Sequence, residues 1–122
     1  RLASLPGASD VFRGGIVAYA TDLKRDLLDV SAAEVVTEAA AIEMALGART
    51  RLGCDVAVAV TGSAGPDPQE QPPGTMILAV ATPEGAMART FRLPGDRARV
   101  RTYAATAALH LTRLAVAGDW WT

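Results

Sequence analysis

The sequence predicts an α/β domain: a three-layer α/β/α sandwich around a mixed, mostly parallel sheet that includes one antiparallel hairpin. Three observations lead there. Strand-like apolar runs and segments of helical periodicity follow one another in the order strand, helices, strand, strand, strand, helix. The run Val56-Ala57-Val58-Ala59-Val60 is apolar at every position, as in strands covered on both faces. Pro83-Glu84-Gly85 separates two further strand-like runs as a hairpin-type turn. Helices on both sides of a sheet are the simplest cover for two-faced strands.

Each element has its own local cause. Pro6-Gly7-Ala8-Ser9 and Gly14-Gly15 are breaks, because proline fixes φ and glycine supplies positive φ. Gly15-Ile16-Val17-Ala18-Tyr19-Ala20 is β-branched and aromatic, which predicts a strand with Ile16, Ala18 and Ala20 on one face and Val17 and Tyr19 on the other. Thr21 is placed to cap a short helix carrying Leu23, Leu27 and Leu28 at helical spacing. A second helix is predicted over Thr37–Leu52, capped by Thr37 and stopped by Gly53, with Glu38, Glu43 and Arg49 toward water.

Asp55–Val60 is the predicted central strand, opening into a Thr61-Gly62-Ser63-Ala64-Gly65-Pro66 loop. Met76–Thr82 and Ala88–Leu93 are the hairpin strands. Asp96 then caps a last helix from Arg97 to about Ala117, with Val100, Tyr103, Ala104, Ala107, Ala108, Leu111 and Leu114 on its apolar face.

The totals narrow what such a domain can do. A chain of 122 residues fits a single core. Half the residues are hydrophobic and 20% are charged, with mean hydropathy +0.20, a mixture that folds. A net charge of −1, from 12 basic and 13 acidic residues, gives no chain-wide positive field for a nucleic-acid backbone. Cys54 and His110 are the only residues of their types, which excludes an internal disulfide and a zinc site built from several Cys/His ligands. Apolar stretches are broken by Gly, Asp or Arg too early for a membrane span, and no signal-peptide pattern opens the sequence. A cytoplasmic protein is the expectation. Arg1-Leu-Ala-Ser-Leu5 reads as a helix end, which suggests that residues precede it.

Four segments, in order, carry a resemblance: Leu5-Pro-Gly-Ala-Ser-Asp-Val-Phe-Arg-Gly-Gly-Ile-Val-Ala-Tyr19, then Lys24, then Val58-Ala-Val-Thr-Gly-Ser-Ala-Gly-Pro66, then Leu93-Pro-Gly-Asp-Arg97. Pro72-Pro73-Gly74-Thr75 adds to them. Together they resemble the C-terminal domain of the competence/damage-inducible protein A (CinA) family, over nearly the whole chain. The resemblance implies an amidohydrolase that converts nicotinamide mononucleotide to nicotinate mononucleotide and ammonia, with no metal or organic cofactor. Its implied partner is a small pyridine nucleotide, with neither nucleic acid nor membrane, in a homo-oligomer that is a dimer or trimer. Family members carry, upstream of the Pro6-Gly7 segment, a strand and a Glu-Ser-x-Thr-Gly-Gly turn whose serine is taken as the nucleophile. Residues 1–122 thus read as one such domain without that strand and turn, and also short of a His-Gly bend between Val35 and Val36.

Deamidation is acyl transfer and needs a nucleophile, a base, an oxyanion holder and a grip on the phosphate. With His110 expected to be buried in an alanine-rich helix, a Ser-Lys scheme fits better than Ser-His. The resemblance places Lys24 as base. A free lysine titrates near about 10.4, so a base role calls for burial or cationic neighbours, and Arg13 and Arg25 are candidates. Periodicity alone leaves Lys24 a solvated residue on an amphipathic helix.

Tyr19 ends its predicted strand where open α/β sheets place ligands, and its hydroxyl could orient the nucleophile or the amide; packing at the rim is the alternative. Thr61, Gly62, Ser63 and Gly65 are candidate contacts to the substrate carbonyl or ribose, since glycines let backbone N–H groups come close. Arg97, beside Asp96 at a helix N-terminus, is a candidate phosphate seat or a plain surface arginine. Cys54 reads as a small core residue, and Trp120-Trp121 as a contact with a neighbouring subunit or a preceding segment. The competing function is a non-catalytic nucleotide-binding or oligomerisation domain of the same fold.

Overall fold

Capping side chains set the two long helices. The computed structural model describes residues 2–63 and 71–119. In α2 (Glu38–Leu52) the Thr37 hydroxyl accepts the Ala40 N–H at 3.1 Å, and Gly53 ends the helix in the left-handed region at φ 61°. In α3 (Arg97–Val116) the Asp96 carboxylate accepts the Arg99 N–H at 2.9 Å. The short α1 (Thr21–Leu28) has no side-chain cap: Thr21 is its first helical residue, not the residue before it. It stops at Asp29, the one non-glycine residue at positive φ among those described (57°). Short 3₁₀ turns occupy Leu2–Ser4 and Ala8–Asp10.

The sheet has three strands, β1 (Ala57–Ser63), β2 (Thr75–Thr82) and β3 (Gly85–Arg92), in the order β1-β2-β3. Both pairs are antiparallel, with Ala59 opposite Ala79 and Val80 opposite Met87. The expectation of a mostly parallel sheet is therefore wrong for the described residues. Parallel neighbours need a crossover of a dozen or more residues, usually a helix. Here the helices precede β1 or follow β3, and the strands are joined only by residues 64–74 and by Pro83-Glu84.

Two further expectations fall with it. Gly15–Ala20 is not a strand, because an extended run becomes one only by pairing and this one has no ladder. Ile16 and Ala18 pack inward against the core, while Val17 and Tyr19 are 90% and 82% exposed. Nor is β1 central: among the described residues it pairs with β2 alone, and Val60 is 38% exposed. The central strand is β2, buried at all eight positions.

Alternation along β2 divides the core. Ile77, Ala79 and Ala81 face α2, with Leu28, Val35 and Val36. Leu78 and Val80 face α3, against Ala108, Leu111 and Ala115, and Met76 meets Val100 and Ala104. Helices thus cover the sheet on both faces, α2 against all three strands and α3 against β1 and β2. His110, expected to be buried, is exposed on the outer side of α3, with Nδ1 3.1 Å from Arg113 Nη2. The helix buries a stripe at positions 100, 104, 108, 111 and 115, and residue 110 falls outside it.

The α1–α2 contact depends on a missing side chain. A Cβ on Gly47 would strike the Leu28 carbonyl oxygen and lie 2.7 Å from its carbon and 2.9 Å from Cα. Gly47→Ala is therefore expected to destabilise the domain by about 1–3 kcal/mol, as overpacking does, despite the better helix propensity of alanine. Urea unfolding of the variant against wild type checks this, and an unchanged or higher midpoint would refute it.

Candidate functional site

The extended segment before α1 carries the first candidate group to its place. Arg13 Nε donates to the Leu52 carbonyl at 3.0 Å, which ties the segment to the C-terminal end of α2. Six residues of extended chain then span roughly 20 Å. They end at Tyr19, whose hydroxyl lies 3.5 Å from Arg97 Nη2 at the start of α3. The structure thus brings together two residues 78 positions apart, both singled out from sequence. The first turn of α3 holds no acidic residue, although the Asp96 carboxylate caps it, so the positive end of the helix dipole and the guanidinium lie together beside that cap.

Backbone bonds hold the neighbouring chain turns in register. Gly74 N–H donates to the Ser63 carbonyl at 2.6 Å, and Leu93 N–H to the Gly74 carbonyl at 2.8 Å. A Cβ on Gly74 would sit 2.7 Å from the Leu93 oxygen, and its φ of 89° suits glycine. Gly74 thus lies between the C-terminal end of β1 and Leu93, which is four residues before Arg97.

Thr61, Gly62 and Ser63 are the last residues of β1 and not a loop. Thr61 (5% exposed) and Ser63 (1%) point to the α2 side, and the Thr61 hydroxyl donates to the Val35 carbonyl at 2.9 Å. Gly62 is required by packing: a Cβ there would meet Met76 Sδ and lie 2.5 Å from the Thr75 carbonyl oxygen. Thr75, opposite Ser63 and 1% exposed, has its hydroxyl buried without a hydrogen-bond partner among the described residues. Gly65 and Trp120-Trp121 lie outside the described residues.

Lys24 is half-buried on α1, and its carbonyl accepts the Val30 N–H at 3.3 Å. Among the described residues no hydrogen bond joins its ammonium to Tyr19, Thr61 or Arg97. Arg25, a sequence candidate for tuning that lysine, instead reaches forward: its Nη2 is 3.4 Å from the carbonyls of Ala32 and of Ala33. Cys54 is a half-buried free thiol. No group of three or more His, Cys, Asp or Glu that could hold a metal occurs among the described residues, and no helix there is long and apolar enough to cross a membrane.

Sequence reading missed Glu43. Expected to face water, it is half-buried and accepts from Ser31 N–H at 2.9 Å, Ser31 Oγ–H at 2.6 Å and Ala32 N–H at 3.0 Å. These partners lie 11 and 12 positions away, beyond any local pattern. The Ser31 hydroxyl and then the Ser31 N–H hold the Glu43 carboxyl below its ordinary 4.5; burial opposes them, and the Ala32 N–H adds the smallest lowering effect.

The CinA C-terminal domain family profile matches residues 1–116. A CinA-like protein of Frankia casuarinae is 49% identical over 97% of the chain, and one of Mycolicibacterium paratuberculosis 45% over 93%; the chain spans 29% of each. The crystal structure of a competence-damaged protein (CinA) superfamily member from Escherichia coli superposes with TM-score 0.87 at 29% identity, over 93% of this chain and 69% of that one.

Because the folded Glu43 pKa is depressed, its contribution to stability is present above the unfolded-state value and is lost as pH falls through the folded one. The difference in urea midpoint between wild type and Glu43→Gln is therefore expected to be largest near neutrality and to shrink below about pH 4. A difference that stays constant from pH 7 to pH 3 would contradict the clamp.

Proposed function

The chain belongs to the CinA C-terminal domain family, and from that premise we propose that it is an amidohydrolase converting nicotinamide mononucleotide to nicotinate mononucleotide and ammonia. The observation that carries the reading is the Tyr19–Arg97 corner, a hydroxyl 3.5 Å from a guanidinium at the N-terminus of a 20-residue helix. A nucleotide monophosphate suits that corner. Its dianion takes charge-assisted hydrogen bonds from the Arg97 side chain and is favoured by the dipole at the N-terminal end of α3. Tyr19 is 82% exposed, so its hydroxyl is open to a ligand.

In this reading Lys24 is the base of a Ser-Lys pair. The serine hydroxyl, from the family's Glu-Ser-x-Thr-Gly-Gly turn, gives its proton to the uncharged Lys24 amine as its oxygen attacks the carboxamide carbon. The tetrahedral oxyanion collapses, and the protonated lysine returns the proton to the leaving nitrogen, which departs as ammonia. Water then attacks the ester by the same route and frees nicotinate mononucleotide. Thr61 and Ser63 line the end of β1 that faces this chemistry. With the Thr61 hydroxyl committed to Val35, their contribution to the substrate carbonyl or ribose comes from the shape and backbone of the strand end.

Ammonia release from nicotinamide mononucleotide by the full-length protein is the test. Lys24→Ala is expected to lower kcat by about a hundredfold or more, the scale of general-base removal. Arg97→Ala should raise KM roughly tenfold or more with far less effect on kcat, as loss of a charged hydrogen bond does. Nucleotide binding without ammonia release would select the non-catalytic binding domain instead.

A further inference from the structure

We infer that Glu43 is a positioning residue for Lys24, an inference that rests on the deamidase reading above. Glu43 and Gly47 are one turn apart on the same side of α2, and between them they seat the whole C-terminal end of α1. At Gly47 the Leu28 carbonyl lies against the helix where any side chain would exclude it. The chain then turns through Asp29 at φ 57°, a conformation that favours glycine and that the surroundings must hold in place. Directly after that turn, the Glu43 carboxylate takes all three donors offered by Ser31 and Ala32.

The clamped loop reaches back to Lys24 by two routes. Val30 N–H donates to the Lys24 carbonyl, and Arg25, its neighbour on α1, reaches the carbonyls of the clamped Ala32 and of Ala33 after it. Release of Ser31 and Ala32 therefore frees the turn that fixes where the last two turns of an eight-residue helix sit. So short a helix has little stability of its own and takes its position from such contacts. A proton-transfer group displaced by about 1 Å can lose on the order of a hundredfold in rate. The Arg97 phosphate seat lies on α3, away from the clamped end of α1, so binding of the phosphate does not depend on the clamp.

The experiment compares wild type, Glu43→Gln, Ser31→Ala and Glu38→Gln by steady-state ammonia release from nicotinamide mononucleotide, with the folded fraction of each followed by circular dichroism. Glu43→Gln presents an N–H₂ where one of its acceptors stood. It is expected to lower kcat about tenfold or more with KM within about threefold, at a folded fraction equal to that of wild type. Ser31→Ala, which deletes one of the three bonds, should fall in between. Glu38→Gln alters a carboxylate on the same helix that accepts from the Thr90 hydroxyl on β3, 2.7 Å away, and should match wild type. A Glu43→Gln kcat within twofold of wild type, or one reduced only in proportion to unfolded protein, overturns the inference while leaving the deamidase reading intact. No ammonia from wild type overturns both.

Discussion

Everything in this domain is arranged around one strand that has no solvent face. All eight residues of β2 are buried, and alternation sends Ile77, Ala79 and Ala81 one way and Met76, Leu78 and Val80 the other. A strand with two apolar faces requires a helical layer on each. The two layers differ in how closely they approach. On one side Ala40, Ala41 and Ala45 are fully buried, and their small side chains let α2 lie over all three strands. On the other side α3 covers β1 and β2 but leaves Met87 on β3 38% exposed.

Close approach brings polar groups into the core, and each needs a partner. Thr61 and Ser63 are buried because β1 alternates toward α2 up to its end. The Thr61 proton goes to Val35, a residue of the loop between α1 and α2. That loop contributes apolar Val30, Val35 and Val36 to the core and turns its backbone N–H and C=O groups toward Glu43, Arg25 and Thr61. Glu43 thus ties the start of the loop to α2, and Thr61 ties its end to the sheet.

The legible parts of the sequence are those with local causes. Thr37, Gly53 and Asp96 mark helix ends through bonds that span a few residues, and each does in the structure what its chemistry implies. The β2–β3 hairpin follows likewise from a short turn between two apolar runs. What local reasoning missed depends on partners. Gly15–Ala20 has the composition of a strand but no ladder. The run through Val60 is apolar enough to be central but is not, since composition does not say how many neighbours a strand has. His110 was placed in the core by its alanine-rich surroundings, yet the buried stripe runs on either side of it. The family motifs singled out candidate residues. That Tyr19 meets Arg97 was not visible in them, because the two are joined only when the sheet brings α3 back beside the extended segment.

The Thr-Gly-Ser motif at the end of β1 shows how one signature can serve two purposes. Glycine at such a strand exit reads as a place where a ligand approaches the backbone. At Gly62 the close approach is made by the protein itself: the side-chain position is taken by Met76, which packs against α3, and by the Thr75 carbonyl. On the opposite face the flanking Thr61 and Ser63 are buried beneath α2. A larger residue at 62 would push β1 from β2, shift the Thr61–Val35 bond and, through the loop, the clamp at Glu43. Residues that pattern alone assigns to substrate contact therefore also set the spacing between the helix bearing Lys24 and the corner bearing Arg97. That spacing is a property of the packed core, which is why a signature so close to the site tolerates so little in size.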